Sequence, residues 1–117
     1  MANALFVGWG APVPGREAQS LQVFGEAQAH FQQFVQSGDV ESAEYYALAP
    51  HGGGLAGFLI ARGDPEKLAH LQIDPDFVRL TTRAQAVVQD FGVVFASTGD
   101  EMQQLFEQFG EIVQEFG

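Results

Sequence analysis

Three short runs of this sequence are apolar at nearly every position. They cover residues 4–9, 55–61 and 86–96. In a β-strand such a run would place apolar side chains on both faces of the sheet. In the first run Phe6 alternates with Leu5 and Val7, and neighbouring side chains of a strand point to opposite faces. Strands with apolar side chains on both faces need cover on both faces. The chain is therefore expected to form a sheet with a further layer on each side.

The segments between these runs carry the signals of a helix and a hairpin. Residues 16–37 place apolar side chains at helical spacing, and Gly38 follows where a left-handed helix cap would lie. Residues 40–49 and 55–61 flank a Pro-His-Gly-Gly-Gly loop at 50–54. Two extended segments around such a loop predict a β-hairpin.

Two Asp-Pro steps begin the next part of the chain, at 64–65 and 74–75. Each places an N-cap acceptor before a residue whose fixed φ suits the first helical position. The steps predict two helices, over residues 65–71 and 75–84. The β-branched and aromatic residues of 86–96 then predict the last strand, which would have Asp90 in its middle.

The C-terminal segment predicts one more helix. Thr98 and Glu101 have the spacing of a capping box at its start. Apolar side chains then recur at helical spacing and form one continuous stripe. The stripe consists of Met102, Leu105, Phe106, Phe109, Ile112, Val113 and Phe116. Such a stripe is expected to dock on the chain's own subunit or on a partner.

The predicted order of elements is βαββαβ followed by the C-terminal helix. This order indicates one α+β domain over residues 1–117, with a ferredoxin-like fold and a four-stranded antiparallel sheet. Helices would cover only one face of that sheet. In a monomer the other face would leave roughly several hundred Å² of apolar surface in water, a size that usually marks an interface. A homodimer formed through this face is therefore expected.

Composition and charge exclude several classes of function. The chain has 15 Asp and Glu against five Lys and Arg, a net charge of −10, which repels the phosphates of nucleic acid. It has no cysteine, which excludes disulfides and zinc–sulfur sites. The N-terminal residues lack a basic region, and their apolar run is too short for a membrane span. We expect a cytoplasmic protein with no membrane or nucleic-acid partner, no metal and no cofactor.

Several motifs along the chain occur together in a recognisable combination. They are Gly15-Arg16-Glu17-Ala18 before Val23-Phe24, Pro50-His51-Gly52-Gly53 with Leu55, Gly57 and Phe58, Gly63-Asp64, Leu68, Phe77, and Gly92-Val93-Val94. In them the chain resembles an uncharacterised bacterial family of dimeric α+β barrel proteins, over nearly its whole length. The resemblance implies a homodimer in which two four-stranded sheets face each other. The wider superfamily includes cofactor-independent monooxygenases, lactone isomerases and haem-degrading enzymes, so the resemblance implies no particular activity.

Two candidate functional residues conflict with the sequence around them. His51 stands beside three glycines, where bare backbone would let a ligand approach closely. Asp90 is a carboxylate within an apolar run. Both are candidates for proton transfer in a pocket. In the structural alternative the glycines beside His51 only permit positive φ, and Asp90 protects a sheet edge from further pairing.

Arginine and aromatic residues supply the other candidates for ligand binding. Arg79 and Arg83 are spaced to share one helix face, where they either hold an anionic ligand as a fork or pair with Asp76 or Glu66. Large aromatic residues are also common in cores and interfaces. The aromatic candidates are Trp9, Tyr45 and Tyr46, and the two tyrosines would point to opposite faces of one strand. One of the tyrosines, together with Trp9, would line the space between the two sheets, and Tyr46 is also a candidate for acid–base catalysis.

Three functions fit these observations. The first is a homodimeric α+β barrel that binds a small organic molecule between its sheets. The second is a cofactor-independent enzyme of monooxygenase or isomerase type that uses His51 or a tyrosine as its acid–base group. The third is a structural or interaction module without a ligand. A pocket of about 300 Å³ or more with converging polar groups favours the first two.

Overall fold

A computed structural model describes all 117 residues of the chain. The elements occur in the order that the sequence predicts and form a ferredoxin-like α+β fold with an added C-terminal helix, so the predicted fold class is confirmed. They are β1 (Ala4–Trp9), α1 (Glu17–Ser37), β2 (Ser42–Ala47), β3 (Gly57–Arg62), α2 (Pro65–Leu71), α3 (Pro75–Val87), β4 (Gly92–Ala96) and α4 (Gly99–Phe116).

The four strands form one antiparallel sheet in the order β2-β3-β1-β4. Val7 of β1 pairs with Leu59 of β3, and both side chains lie in the buried core. Helices α1 and α3 pack against each other and contribute to the same core, so they cover this face of the sheet. The core consists of Leu5, Val7, Phe31, Phe34, Val40, Leu59, Ala61, Leu68, Leu71, Phe77 and Leu80.

The opposite face of the sheet, which we call the open face, is mainly apolar, and most of its residues are partly buried or exposed. It is formed by Ala4, Phe6, Gly8, Ser42, Glu44, Tyr46, Phe58, Ile60, Arg62, Gly92, Val94 and Ala96. Three of its rings are stacked, with centroids 5.3 Å apart for Phe6 and Phe58 and 4.8 Å apart for Phe58 and Tyr46. Val94 is 54% exposed. The second apolar set of the strands therefore has no complete cover within one subunit.

The Asp-Pro steps start helices as predicted. The Asp64 carboxylate accepts hydrogen bonds from the amides of Glu66 at 3.1 Å and Lys67 at 3.3 Å. Asp74 does the same for the second and third residues of α3. Each proline occupies the first helical position, where no amide hydrogen is required. These caps fix the points at which α2 and α3 begin.

The prediction of a strand over residues 86–96 is wrong for the first half of this segment. Helix α3 continues to Val87, the amide of Val88 still donates to the carbonyl of Ala84 at 3.1 Å, and β4 begins only at Gly92. The β-branched side chain of Val87 is buried beneath the helix, so its burial outweighs its intrinsic preference for a strand. Asp90 accordingly lies in the turn before β4, exposed and with a φ of +53°.

Helix α4 has the apolar stripe that the sequence predicts, yet none of its residues is buried. Its start is held by Asn3, whose side chain donates to the Thr98 carbonyl at 3.1 Å and accepts from the Thr98 amide at 2.8 Å. The Thr98 hydroxyl also contacts Asn3 and does not cap the helix, so the predicted capping box is wrong. None of the four helices combines the length and the hydropathy of a membrane-spanning segment.

Candidate functional site

A cavity of about 320 Å³ lies between the helix-covered face of the sheet and helices α1 and α3. We call it the sheet–helix cavity. Its walls are mostly apolar because strand and helix residues turn their core side chains toward it. It is lined by Val7, Trp9, Gly10, Pro12, Ser20, Leu21, Val23, Phe24, Ala27, Phe31, Tyr45, Ala47, Ala56, Leu59, Phe77, Leu80, Thr81, Val87, Val88 and Phe91.

Two aromatic residues that line this cavity carry a polar atom. Tyr45 and Trp9 both contact Phe24 of α1 edge-on, with ring centroids 5.9 Å and 5.7 Å from it. Neither the Tyr45 hydroxyl nor the Trp9 indole nitrogen has a hydrogen-bond partner within the chain. Burial raises the pKa of the Tyr45 phenol above its ordinary value, because the anion would lose solvation. At neutral pH the lining of the cavity therefore includes two side chains that can donate a hydrogen bond, the Tyr45 phenol and the Trp9 indole.

The other hydroxyl groups of the lining are already engaged. Ser20 donates to the carbonyl of Glu17 at 2.7 Å, and Thr81 donates to the carbonyl of Val78 at 3.1 Å. Both bonds are local to their helices. Tyr45 and Trp9 are thus the lining side chains whose polar atoms have no partner within the chain.

Gly57 fixes where Trp9 lies. It pairs with Trp9 across β1 and β3, and a Cβ atom at Gly57 would come within 2.7 Å of Trp9 Cζ2 and of the Tyr46 carbonyl oxygen. The indole can lie flat on this strand only because glycine has no side chain. The glycine thereby places the indole in the wall of the cavity.

Trp9 and Tyr45 do not line a space between sheets, contrary to the prediction for Trp9. Trp9 follows Leu5 and Val7 on the helix-covered face, and Tyr45 pairs with Leu59 on that face. Both residues instead line the sheet–helix cavity inside one subunit. Alternation along β1 and β2 could have assigned the face, but not the cavity, because a void depends on the distance between helix and sheet.

Tyr46 lies on the open face and is separated by the sheet from Tyr45. Its hydroxyl donates to the carboxylate of Glu44, two residues earlier on β2. This hydrogen bond is the main reason why the pKa of Tyr46 is raised, with the negative charge of Glu44 second. Tyr46 is therefore a neutral phenol at ordinary pH. It does not join Tyr45 and Trp9 in one site.

His51 binds its own hairpin loop with both ring nitrogens. Nε2 is 2.7 Å from the carbonyl oxygen of Leu55, to which it donates, and Nδ1 accepts from the amide of Gly53 at 3.3 Å. In this arrangement Nε2 is the donor of the ring and Nδ1 is the acceptor. The arrangement fits the structural role for His51, since no ring nitrogen is free for a ligand.

Asp90 and His51 line a second cavity of about 350 Å³, which lies between the hairpin loop and the turn before β4. Asp90 Oδ2 lies 2.9 Å from the point where a Cβ atom at Gly54 would be. The structure therefore brings these two predicted candidates together. The residues that line this second cavity are mainly glycine, alanine and other loop residues.

The two arginines do not form a fork for an anion. Arg83 makes two hydrogen bonds of 2.9 Å to the carboxylate of Glu26 on α1. This pairing lowers the pKa of Glu26 and raises the pKa of Arg83. The predicted partners Asp76 and Glu66 are wrong, and Glu26 lies 57 residues away in sequence. Arg79 is exposed and forms no ion pair.

No group of three or more His, Asp or Glu side chains converges as a metal site would require. His30 packs beside Phe34, with ring centroids 6.2 Å apart, and His70 is exposed near the end of α2.

No protein-family model and no curated protein sequence matches this chain, whereas solved structures match its fold. A dimeric ferredoxin-like protein of unknown function from Jannaschia has a TM-score of 0.61 at 13% identity, over 81% of this chain and 98% of that one. A dimeric protein of unknown function and ferredoxin-like fold from Bacteroides fragilis has a TM-score of 0.58 at 8% identity, over 81% and 95%. SnoaB, a cofactor-independent oxygenase from Streptomyces nogalater, has a TM-score of 0.52 at 18% identity, over 85% and 97%.

Proposed function

We propose that this chain forms a homodimer in which each subunit binds a small, mainly apolar organic molecule in its sheet–helix cavity. The observation that carries the proposal is the partly buried Tyr45, whose hydroxyl has no partner within the chain and which lines an apolar cavity of about 320 Å³. Ligand sites are mostly apolar concavities with a few polar groups that orient the ligand. The proposed location differs from the space between the sheets that the sequence suggests.

The two free donors define the chemistry of the ligand. The Trp9 indole can only donate and therefore requires an acceptor atom on the molecule, and the protonated Tyr45 phenol can donate to the same kind of atom. A ketone, ester, ether or quinone oxygen on an otherwise apolar skeleton meets this requirement. A charged ligand is disfavoured, because no ionised side chain lines the cavity and burial of an unpaired charge is costly.

The homodimer is supported by the open face and by the comparisons. Stacked Phe6 and Phe58 with Val94 make an apolar surface that one subunit leaves partly in water. Two of the structures with this fold are described as dimeric. Packing the open faces of two copies together would bury this surface on both.

A second candidate function is a cofactor-independent oxygenase or isomerase. Its support is the fold shared with SnoaB together with a titratable phenol inside an apolar cavity. Because the pKa of Tyr45 is raised, its phenol at neutral pH is a proton donor and not a base. Tyr45 would therefore act by hydrogen-bonding an oxygen of the substrate.

The test uses Trp9, the single tryptophan of the chain, as a fluorescent reporter inside the cavity. We expect 1-tetralone, which has a ketone oxygen, to quench this fluorescence at saturable concentrations. Replacement Tyr45→Phe should weaken tetralone binding by about three- to ten-fold, the range of one neutral hydrogen bond. Tetralin lacks the oxygen and should bind both proteins equally.

Tyr46→Phe is the matched control, because it removes the same hydroxyl from the next residue on the opposite face. It should leave tetralone binding unchanged. Equal effects of the two replacements, or the absence of saturable quenching by either compound, would contradict the proposal and favour an interaction module without a ligand.

A further inference from the structure

Helix α4 presents an apolar surface that its own subunit does not cover. The seven residues of the stripe lie along one side of the helix, and all are exposed, Phe109 to 67% and Phe116 to 88%. By contrast, the first residues of the segment are held to the body through Asn3 and Thr98. The helix is thus fixed at its start and unpartnered along its length.

The size of this surface points to a protein interface. The exposed parts of the stripe side chains amount to roughly 700 Å², if a whole aromatic side chain contributes about 200 Å². The largest apolar patch on a typical monomer is about 300–600 Å². A stable interface takes about 800 Å² from each partner, so the stripe supplies most of that area before the open face is counted.

The charge of α4 limits what can cover the stripe. The helix carries five carboxylates and no basic residue. None of the five occupies a stripe position; they are Asp100, Glu101, Glu107, Glu111 and Glu115. Helices that lie on membranes usually carry Lys and Arg on the polar face to meet anionic lipid. An acidic lipid surface is therefore a poor occupant, and nucleic acid is excluded in the same way.

The stripe is continuous with the surface of the proposed dimer. Asn3 precedes β1, Thr98 follows β4, and Ala4 and Ala96 are paired on the open face just before this point. Helix α4 therefore departs from the border of the open face. The helix's own subunit buries none of the stripe, so a second copy that packs on the open face is the occupant nearest to the point where α4 begins.

We infer that the α4 stripe packs against the second copy of the same homodimer and completes its interface. The inference rests on the homodimer of the proposed function and adds a second contact region to it. Each subunit thereby contributes an open face and one α4 helix. The two regions can be tested separately, because different residues form them.

The experiment measures the dimer dissociation constant by sedimentation over a range of protein concentrations. The double replacement Phe106→Gln with Phe109→Gln should raise this constant by about 100-fold or more, since burial of each large apolar side chain contributes about 1.5–3 kcal/mol. Gln103→Ala with Gln104→Ala changes the same helix away from the stripe and should alter the constant less than about two-fold. Circular dichroism checks that both variants remain helical.

Val94→Gln on the open face separates this inference from the homodimer itself. If Val94→Gln weakens the dimer but the double phenylalanine variant does not, the dimer stands and the role of α4 is overturned. If the unmodified chain is a monomer at every concentration, the homodimer fails and the inference fails with it. Hydrogen exchange provides an independent check, because protection of α4 in the dilute monomer would show that it packs on its own subunit.

Discussion

The two faces of the sheet have similar apolar side chains but different surroundings. Leu5 and Leu59 on the helix-covered face are almost completely buried. Phe6 and Phe58 on the open face stack on each other and remain partly in water. The apolar pattern of a strand thus specifies how many layers must cover a sheet. It does not specify whether a layer comes from the same chain.

Helices α3 and α4 repeat the same contrast. Both are amphipathic, but α3 buries Phe77, Leu80 and Val87 while α4 buries no residue. An ion pair between α1 and α3 also joins the covering helices, and α4 has no such link to another helix. The covered half of the molecule is therefore complete in one chain, whereas Val94 of the open face and the stripe of α4 remain exposed in it.

The largest expected effect compares one phenylalanine from each helix. Phe77→Ala empties a site that is only 4% exposed, so the free energy of unfolding should fall by about 3–5 kcal/mol at any protein concentration. Phe109→Ala should cost less than about 1 kcal/mol in a dilute monomer, because this side chain is already largely solvated. Urea denaturation at several protein concentrations measures both. Equal losses in dilute protein would show that α4 docks on its own subunit.

The next effect concerns the contact between Gly57 and Trp9. Gly57→Ala should lower the free energy of unfolding by about 1–3 kcal/mol, because the added methyl group has to displace the indole or the backbone of β2. The emission of Trp9 should change at the same time. Gly25→Ala is the control, because a Cβ atom there meets nothing within 4 Å and alanine favours a helix. A normal Trp9 spectrum in the Gly57 variant would contradict this account of the cavity wall.

The two tyrosines of the chain allow the faces to be compared by titration. Both phenols should ionise above the ordinary pKa of 10.0, Tyr45 because of burial and Tyr46 because of Glu44. Glu44→Gln should therefore lower the pKa of Tyr46 and leave that of Tyr45 unchanged. Ultraviolet titration of Tyr45→Phe and Tyr46→Phe, each with and without Glu44→Gln, separates the two groups.

Burial of Tyr45 also sets the sign of a stability change at high pH. Its pKa is higher in the folded protein than in the unfolded chain, so its contribution to stability is complete below about pH 10 and is lost as pH rises through the folded value. Tyr45→Phe should reduce this loss. A titration in which Glu44→Gln shifts both phenols equally would contradict the separation of the two faces.

Local signals in the sequence predict most of this fold. These signals each act within a few residues and can therefore be predicted from the sequence. They are the caps at Asp64 and Asp74, the periodicity of α1 and the alternation in β1. The end of α3 at Val87 cannot be predicted from the local sequence, because the burial that keeps this valine in the helix depends on the packed core. The same limit explains why the run at 86–96 is predicted as one strand and Asp90 as part of it.

The candidate site is less predictable than the fold for a related reason. Trp9 and Tyr45 are recognisable as aromatic candidates, but the sheet–helix cavity depends on how far α1 and α3 stand from the sheet. The bonds of His51 to Leu55 and Gly53 need a particular loop conformation, which three glycines alone do not specify. Distant pairings leave no local signal either, as Arg83 and Glu26 illustrate.

The smallest expected effect tests that distant pair, which links the two helices of the covered face. Both side chains are partly exposed, so solvent weakens their attraction, and Glu26→Gln should destabilise the protein less than Gly57→Ala does. The pKa of Glu26 is lowered from 4.5 by the hydrogen bonds of Arg83. Its contribution is therefore present above that value and is lost as pH falls through the lowered pKa. Urea denaturation of both proteins at neutral and acidic pH should show a difference at pH 7 that disappears in acid. A difference that persists in acid would mean that Glu26 stabilises the contact between α1 and α3 by packing and not by its charge.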